Sequence, residues 1–503
     1  MKRVTNRSCG IFSVRGILNL GALMLLTFGL VTVFAVLPVI TYYNSHILAK
    51  QLIVNSGGFN LGGINGTGQV PIINSLPGLI DTTTPDSALT RQGFDGKQYN
   101  LVFSDEFSVD GRTFWPGDDP YWEAVNLHYW ATGDLEWYDP DAITTTGGNL
   151  QITITKEDIH DLDFRSGMLQ SWNKFCFTGG YIEVSVSLPG SPTIPGFWPG
   201  AWTMGNLARA GYGATTDGTW PYSYQACDIG TLKNQTTVDG TGPAAALTSG
   251  TGGGVLSYLP GQRLSSCTCS NEDHPGPNVR VGRGSPEIDI IEAQVTTVKG
   301  TTAIGQASQS AQFAPFDDTY DWNAAGAKIV DATVSKANTY KGGIYQESVS
   351  VVTTTDQTAY QATGGNFQKF GFEYTPGSSG SITWSASDAA TWTLTPAAIG
   401  PNKVTQIGQR IISSEPMYII LNLAISAAFE TVDLPHLVTP NRMLIDYVRV
   451  YQSKGQENIG CSPTQYPTED YINEHIVAYT NPNLTTWAQA GYTFPKNSLQ
   501  DTC

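Results

Sequence analysis

The chain has 503 residues, which is long enough for a large hydrophobic core with further segments around it. Charged residues make up only 14%, whereas Gly occurs 54 times and Pro 28 times, a composition typical of turn-rich β structure and unlike that of long solvated helices. The formal net charge is −16, which excludes a basic nucleic-acid-binding surface, so we expect no nucleic acid among the partners.

The N-terminal region has the charge pattern of a membrane anchor. Four cations lie within residues 1–15, and residues 16–43 then contain no charged side chain. A bilayer-spanning helix needs about 20 apolar residues. A cleaved signal peptide is the alternative, although its apolar region is normally shorter, about 7–15 residues. We therefore expect a cytosolic tail over 1–15 and a single transmembrane anchor over 16–43.

This topology predicts a type II membrane protein of the secretory pathway, at the endoplasmic reticulum, Golgi or plasma membrane, with a lumenal or extracellular C-terminal part. Three sequons, at Asn65, Asn234 and Asn483, are candidate glycosylation sites on that side. Six cysteines are able to form three disulfides there, namely Cys176, Cys227, Cys267, Cys269, Cys461 and Cys503. Their fifteen possible pairings stay open.

Metal and cofactor sites are not expected. The close pair Cys267 and Cys269 is compatible with zinc, but no second close cysteine pair accompanies it and His274 is the only nearby histidine. We therefore predict no metal and no cofactor.

Strand patterns dominate the rest of the chain. Apolar residues alternate with polar ones around Leu150–Ile154, Ile182–Leu188 and Asp446–Val450, which is typical of strands covered on one face. Met417–Ile425 is uniformly apolar and fits a strand buried on both faces or a short helix. The patterns predict two packed antiparallel sheets. The expected organisation is a stem over 44–90, a sheet domain over 91–455 with an insertion over 205–284, and a C-terminal extension over 456–503.

The most informative segment places three acids on an isoleucine-rich strand. Glu287 and Asp289 are two residues apart and therefore share a face. Glu292 falls on the opposite face of a regular strand, but a β-bulge at Ile290-Ile291 would return it to the same side. We therefore expect the three carboxyl groups to converge on one sheet surface.

Clustered carboxyl groups repel one another, so their placement calls for a chemical reason. A retaining glycosidase needs a carboxylate nucleophile and a carboxylic acid about 5–5.5 Å apart, and a neighbouring Asp can support the nucleophile. A calcium site or a solvated strand face is the alternative, although calcium usually takes its oxygen ligands from a loop. The triplet favours carbohydrate chemistry.

Aromatic side chains fit the same chemistry, because sugar rings stack on them. The segment Gly196–Met204 places Trp198 and Trp202 four residues apart, and Trp172, Trp384 and Trp392 are further candidates. Core packing is the alternative role for each of them.

The sequence resembles glycoside hydrolase family 16, in which Glu-x-Asp-x-x-Glu is the active-site signature, and more closely its membrane-anchored fungal branch, the β-glucan synthesis-associated proteins. Besides the triplet, the residues that carry the resemblance are Leu101–Phe107, Ser166–Phe177, Gly179–Glu183, Gly196–Met204, Phe370–Tyr374, Pro416–Leu423 and Ile445–Tyr451.

The resemblance implies an all-β fold, a concanavalin-like jelly roll of two antiparallel sheets. It also implies that Glu287 is the nucleophile, Asp289 its supporting acid and Glu292 the general acid/base, with Trp198 and Trp202 at the sugar subsites. The implied activity is β-glucan remodelling in β-1,6-glucan assembly, by hydrolysis or transglycosylation, with cell-wall synthesis machinery as a further partner. A non-catalytic glucan-binding assembly factor is the competing hypothesis.

Overall fold

The computed structural model describes residues 14–37, 78–296 and 303–503. The chain divides into two units, 1–55 and 56–503. In the first unit, helix α1 (Val14–Val31) continues into a π-helical turn (Thr32–Val36). The predicted anchor over 16–43 overlaps these elements, and its last six residues lie outside the described part of the chain.

None of the helices in the described ranges combines the length and the apolar character needed to cross a bilayer. The predicted transmembrane helix is therefore not confirmed.

The second unit is built from β-strands, and its sheets contain 13 and nine of them in the described ranges. The strands of the unit are β1 (Thr90–Gln92), β2 (Gln98–Asp105), β3 (Glu123–Ala124), β4 (Leu127–His128), β5 (Glu136–Tyr138), β6 (Ile143–Thr146), β7 (Asn149–Ile159), β8 (Leu162–Ser166), β9 (Met168–Gln170), β10 (Gly180–Ser187), β11 (Trp198–Gly205), β12 (Glu287–Thr296), β13 (Ile304–Phe313), β14 (Ala327–Ile329), β15 (Ser335–Ala337), β16 (Gly342–Gly343), β17 (Gln346–Thr354), β18 (Gln368–Thr375), β19 (Ser381–Ala386), β20 (Ala389–Leu394), β21 (Met417–Ala424) and β22 (Asn441–Ser453).

The larger sheet has the order β14-β20-β19-β18-β10-β22-β7-β8-β5-β4, with β1, β2 and β6 paired beside this path. The smaller sheet has the order β15-β17-β13-β12-β11-β21-β9-β3, with β16 paired to β17. Neighbouring strands are antiparallel, apart from the parallel pair β5 and β8. The two-sheet antiparallel sandwich predicted from the sequence is therefore confirmed.

Helical segments of the second unit are short. The α-helices are α2 (Gly213–Thr216), α3 (Ala244–Thr248), α4 (Glu469–Glu474) and α5 (Ile476–Thr480). Turns of 3-10 helix occur at Asp86–Ala88, Trp130–Thr132, Pro140–Ala142, Ile229–Thr231, Lys233–Gln235, Thr251–Gly253, Asp318–Tyr320, Ala324–Gly326 and Pro396–Ala398.

The main hydrophobic core draws residues from both sheets. Leu150, Ile152 and Ile154 of β7 are fully buried in it, as their alternation predicts. Met417–Ala424 forms strand β21, and every residue of that strand is buried, which excludes the short-helix alternative. The alternation at Ile182–Leu188 predicts a strand covered on one face, but both faces of β10 are buried. Arg91 covers the outer face by lying 3.2 Å from the ring centroid of Tyr181.

The folded unit begins before the predicted boundary at 91. The Ser104 amide donates to the carbonyl of Leu79 at 2.9 Å, and the Leu101 amide donates to that of Leu89 at 2.9 Å. Residues 78–90 therefore pack along β2 instead of continuing the stem.

The insertion and the C-terminal extension pack against each other. Disulfides Cys227–Cys267 and Cys269–Cys503 hold the insertion, the second of them to the chain end, while Cys176–Cys461 ties the extension to the sandwich. The Arg263 guanidinium lies 3.6 Å from the ring of Trp487, a cation–π contact between the two segments. All six cysteines expected to pair do so, including the close pair considered for zinc.

Candidate active site

Strand β12 carries one residue more than its neighbours where the acids lie. Its partner residues on β13 are Ser310 for Asp289 and Ser308 for Glu292, so three steps along β12 match two along β13. The pairing with β11 shifts at the same place. This is the predicted β-bulge at Ile290-Ile291, and both isoleucines are fully buried in the core. The bulge explains how Glu292 reaches the same side as the other acids.

The three acids open onto one cavity of about 520 Å³. It crosses the exposed side of the smaller sheet, from Met168 of β9 to Ser348 of β17. Strands lie about 4.8 Å apart, so this path over six neighbouring strands suits an extended ligand. Besides the acids, the lining includes Tyr129, Asp134, Tyr138, Trp198, Trp202, Trp220, Gln294, Gln312, Tyr340, Gln346, Asn422 and Phe429.

Hydrogen bonds connect the acids to one another and to the walls. Ser310 Oγ lies 2.7 Å from Asp289 Oδ2 and 3.3 Å from Glu292 Oε2, so one hydroxyl bridges the two carboxyl groups. Gln312 Nε2 donates to the same Asp289 oxygen at 3.0 Å. A hydrogen bond with the Glu287 carboxyl also lowers the pKa of Asp289.

Indole groups hold the two outer acids. Trp220 Nε1 donates to Glu287 Oε2 at 2.7 Å, and Trp198 Nε1 donates to Glu292 Oε1 at 3.2 Å. The Trp198 ring stacks on Phe429 with centroids 4.2 Å apart. The two indoles therefore fix the directions of both glutamates.

Burial raises the pKa of all three acids. It raises the pKa of Glu292 to about 8, with a further contribution from the Asp289 charge, and the pKa of Asp289 to about 6. The pKa of Glu287 lies well above its usual range because of burial and the charges of its two neighbours. Burial therefore favours the neutral forms of these carboxyl groups, and three hydrogen-bond donors around Asp289 offset part of that effect.

The predicted tryptophans fall into two groups. Trp198 and Trp202 line the cavity, where Trp202 Nε1 donates to Asn422 Oδ1 at 2.8 Å. Trp384 is fully buried, stacks on Trp392 at 4.1 Å and donates from Nε1 to the backbone carbonyl of Asp289. The prediction that Trp384 binds substrate is therefore wrong, and the core-packing alternative holds for Trp384 and Trp392.

Trp172 also lies away from the cavity. Its ring stacks on Tyr479 of the extension with centroids 5.5 Å apart, and its Nε1 donates to the Asn206 carbonyl at 3.1 Å. It packs the C-terminal extension against the sandwich, so its predicted place at a sugar subsite is wrong.

Several cavity residues had no signal in the sequence. Trp220 lies in the insertion, Asp134 lies just before β5 and Tyr138 ends that strand, far along the chain from the triplet. The Tyr138 hydroxyl donates to Asp134 Oδ2 at 3.0 Å and accepts from Asn422 Nδ2 at 3.1 Å, which continues the hydrogen-bond chain to Trp202. Only long-range folding brings these residues together.

Three residues of types that can ligate a metal lie close together elsewhere in the described ranges. Asp273, Glu474 and His475 offer ligand atoms within 4.8 Å of one another, with His475 Nε2 2.9 Å from Asp273 Oδ2. None of the three lines the cavity. Of the sequons, Asn483 is exposed, Asn234 is half-buried, and Asn65 lies outside the described residues.

A two-sheet β-sandwich with three linked carboxyl groups in an aromatic-walled cavity defines a glycoside-hydrolase-like protein. The chain belongs to the β-glucan synthesis-associated protein family SKN1/KRE6/Sbg1, whose family model matches residues 1–503. It is 46% identical over 498 residues to the β-glucan synthesis-associated protein SKN1 of Saccharomyces cerevisiae, covering 97% of this chain and 62% of that protein.

A second relative is the β-glucan synthesis-associated protein KRE6 of the same yeast. It is 48% identical over 439 residues, covering 86% of this chain and 58% of that protein. The chain thus spans about 60% of the length of these two relatives. Among solved structures, the catalytic domain of an endo-1,3-beta-glucanase (laminarinase) from Thermotoga petrophila matches at 19% identity with a TM-score of 0.40, covering 71% of this chain and 100% of that one.

The raised pKa values predict that the protein loses stability as pH rises. A carboxyl group whose pKa is raised on folding stabilises the fold below about pH 4.5, and this contribution is lost as pH rises through the folded value. We expect Glu292→Gln to be more stable than the unsubstituted protein at pH 9 by at least about 1 kcal/mol, because one pKa unit corresponds to about 1.4 kcal/mol.

Urea unfolding at pH 9 and at pH 4 measures this difference, and the pH 4 measurement is the internal control. The same stability difference between the two proteins at pH 9 and at pH 4 would contradict the assigned pKa shift.

Proposed function

We propose that this protein is a retaining glycosidase or transglycosidase that acts on β-glucan. The observation that carries the proposal is the linked set Glu287, Asp289 and Glu292, gathered by the bulge in one cavity and supplied with hydrogen-bond donors. Family membership supports β-glucan as the polymer. The role of the protein is then the remodelling of cell-wall glucan during β-1,6-glucan assembly.

Glu287 acts as the nucleophile in this mechanism. Its ionised carboxylate attacks the anomeric carbon, while protonated Asp289 hydrogen-bonds to it. Glu292 donates its proton to the glycosidic oxygen as the C–O bond breaks, which its pKa of about 8 allows at neutral pH. The product of this step is a glycosyl ester on Glu287, with Asp289 protonated and Glu292 ionised.

The second step reverses these roles. Ionised Glu292 takes a proton from an incoming hydroxyl group, whose oxygen attacks the anomeric carbon and releases Glu287. Water as acceptor gives hydrolysis, and a sugar hydroxyl gives transfer. A sugar acceptor suits glucan assembly better, because hydrolysis shortens the polymer that synthesis extends.

The competing proposal is a non-catalytic glucan-binding assembly factor. The tryptophan walls of the cavity suit such a role equally well. Three clustered carboxyl groups do not, because holding them together away from bulk water costs free energy that a sugar-binding surface has no evident need to expend. The acids therefore favour the enzyme.

Substitution of the acids separates the two proposals. We expect Glu287→Gln to lower turnover of β-glucan oligosaccharides at least about 10³-fold and Glu292→Gln about 10²–10⁴-fold, because each removes one half of the double displacement. Product lengths measured by mass spectrometry, with β-1,3- and β-1,6-linked donors, follow both hydrolysis and transfer.

Glu157→Gln is the matched control, since this glutamate is exposed on β7 and lies outside the cavity. If the unsubstituted protein makes neither shorter nor longer products yet binds the oligosaccharides, the binding-factor proposal replaces the enzyme.

We further propose that the folded unit resides in the secretory pathway. Three disulfides and the exposed sequon at Asn483 support this location. In protein taken from cells and unfolded without reductant, a thiol-alkylating reagent should label Cys9 alone. Labelling of further cysteines before reduction would contradict an oxidising compartment. As the control, labelling after reduction should reach all seven cysteines.

A further inference from the structure

Three exposed tyrosines lie together beside the cavity. Tyr258, Tyr340 and Tyr345 are each between 53% and 57% exposed, which is unusual for aromatic side chains in a folded domain. We call them the tyrosine surface. The rings of Tyr258 and Tyr345 have centroids 6.4 Å apart.

The tyrosine surface is continuous with the cavity. Tyr340 lines the cavity itself, and Gln346, which also lines it, donates from Nε2 to the Tyr340 hydroxyl at 3.3 Å. Tyr345 lies at the turn of the hairpin formed by β16 and β17, directly before Gln346. A ligand that leaves the cavity on the β17 side therefore meets these rings next.

The backbone holds the surface in place. The hairpin needs glycine at Gly342, whose φ is +109°, and a Cβ there would come within 2.2 Å of the Gln346 carbonyl oxygen. The Tyr258 amide donates to the Ile344 carbonyl at 2.8 Å, so the insertion is tied to the hairpin tip. The rings are thus presented on an ordered backbone.

The charge of the surface indicates a neutral occupant. Residues 338–346 contain one charged side chain, Lys341, and it forms an ion pair with Asp321. A nucleic acid or an anionic membrane requires unpaired cations, whereas the faces of sugar rings stack on aromatic side chains without them.

We propose that the tyrosine surface is a distal binding site for the β-glucan chain, continuing the cavity beyond Tyr340. This inference depends on the proposed function only for the identity of the polymer. The site engages the part of a long glucan that extends past the acids, so it selects polymer over short oligosaccharide.

The test compares a glucan trisaccharide with a decasaccharide, in β-1,3- and β-1,6-linked forms, by calorimetric titration of the full chain. All proteins in this comparison carry Glu287→Gln, so that oligosaccharide binding is measured without turnover. We expect the added pair Tyr258→Ala and Tyr345→Ala to weaken decasaccharide binding about five- to tenfold and to leave trisaccharide binding unchanged. Tyr340 is retained because it also lines the cavity.

Phe367→Ala is the matched control, because Phe367 is an exposed aromatic residue that adjoins the larger sheet and does not line the cavity. Unchanged decasaccharide binding, an equal loss for both lengths, or no glucan binding by the Glu287→Gln protein would overturn the inference.

Failure of the proposed function gives a different result. In that case the unsubstituted protein turns over neither oligosaccharide, while the length-dependent loss of binding still appears in the tyrosine variant.

Discussion

One extra residue in strand β12 is the constraint on which the site depends. A regular strand would direct Glu292 into the core, where Ile290 and Ile291 now lie. The bulge places both isoleucines in the core and all three acids at the cavity. Because β12 is paired on both sides from Glu287 to Glu292, neighbouring strands hold this irregularity in place.

The second constraint is electrostatic. Three ionised carboxyl groups this close together would repel one another strongly, and burial raises the pKa of each, which favours the neutral forms. Ser310 and Gln312 donate to Asp289 from the adjacent strand, which offsets part of the effect of burial on the pKa of Asp289. The outer acids are oriented by indole donors.

Sequence patterns predicted the sandwich and the bulge because both follow from local periodicity. The alternation at Leu150–Ile154 and the acid spacing at 287, 289 and 292 carry that information directly. The roles of the tryptophans were not accessible in this way. Trp384 is fully buried, whereas Trp198 lines the cavity of the smaller sheet, and these positions depend on how distant strands pack. Trp220 was missed because its contact with Glu287 joins residues 67 positions apart.

The most direct test of the account is the identity of the residue that becomes glycosylated. An oligosaccharide fluoride of the β-glucan type needs no proton from Glu292, so the Glu292→Gln variant should form the glycosyl ester and release it slowly. Peptide mass spectrometry should then find the added sugar on Glu287. A sugar attached to another residue, or none attached while the cavity is occupied, would contradict the account.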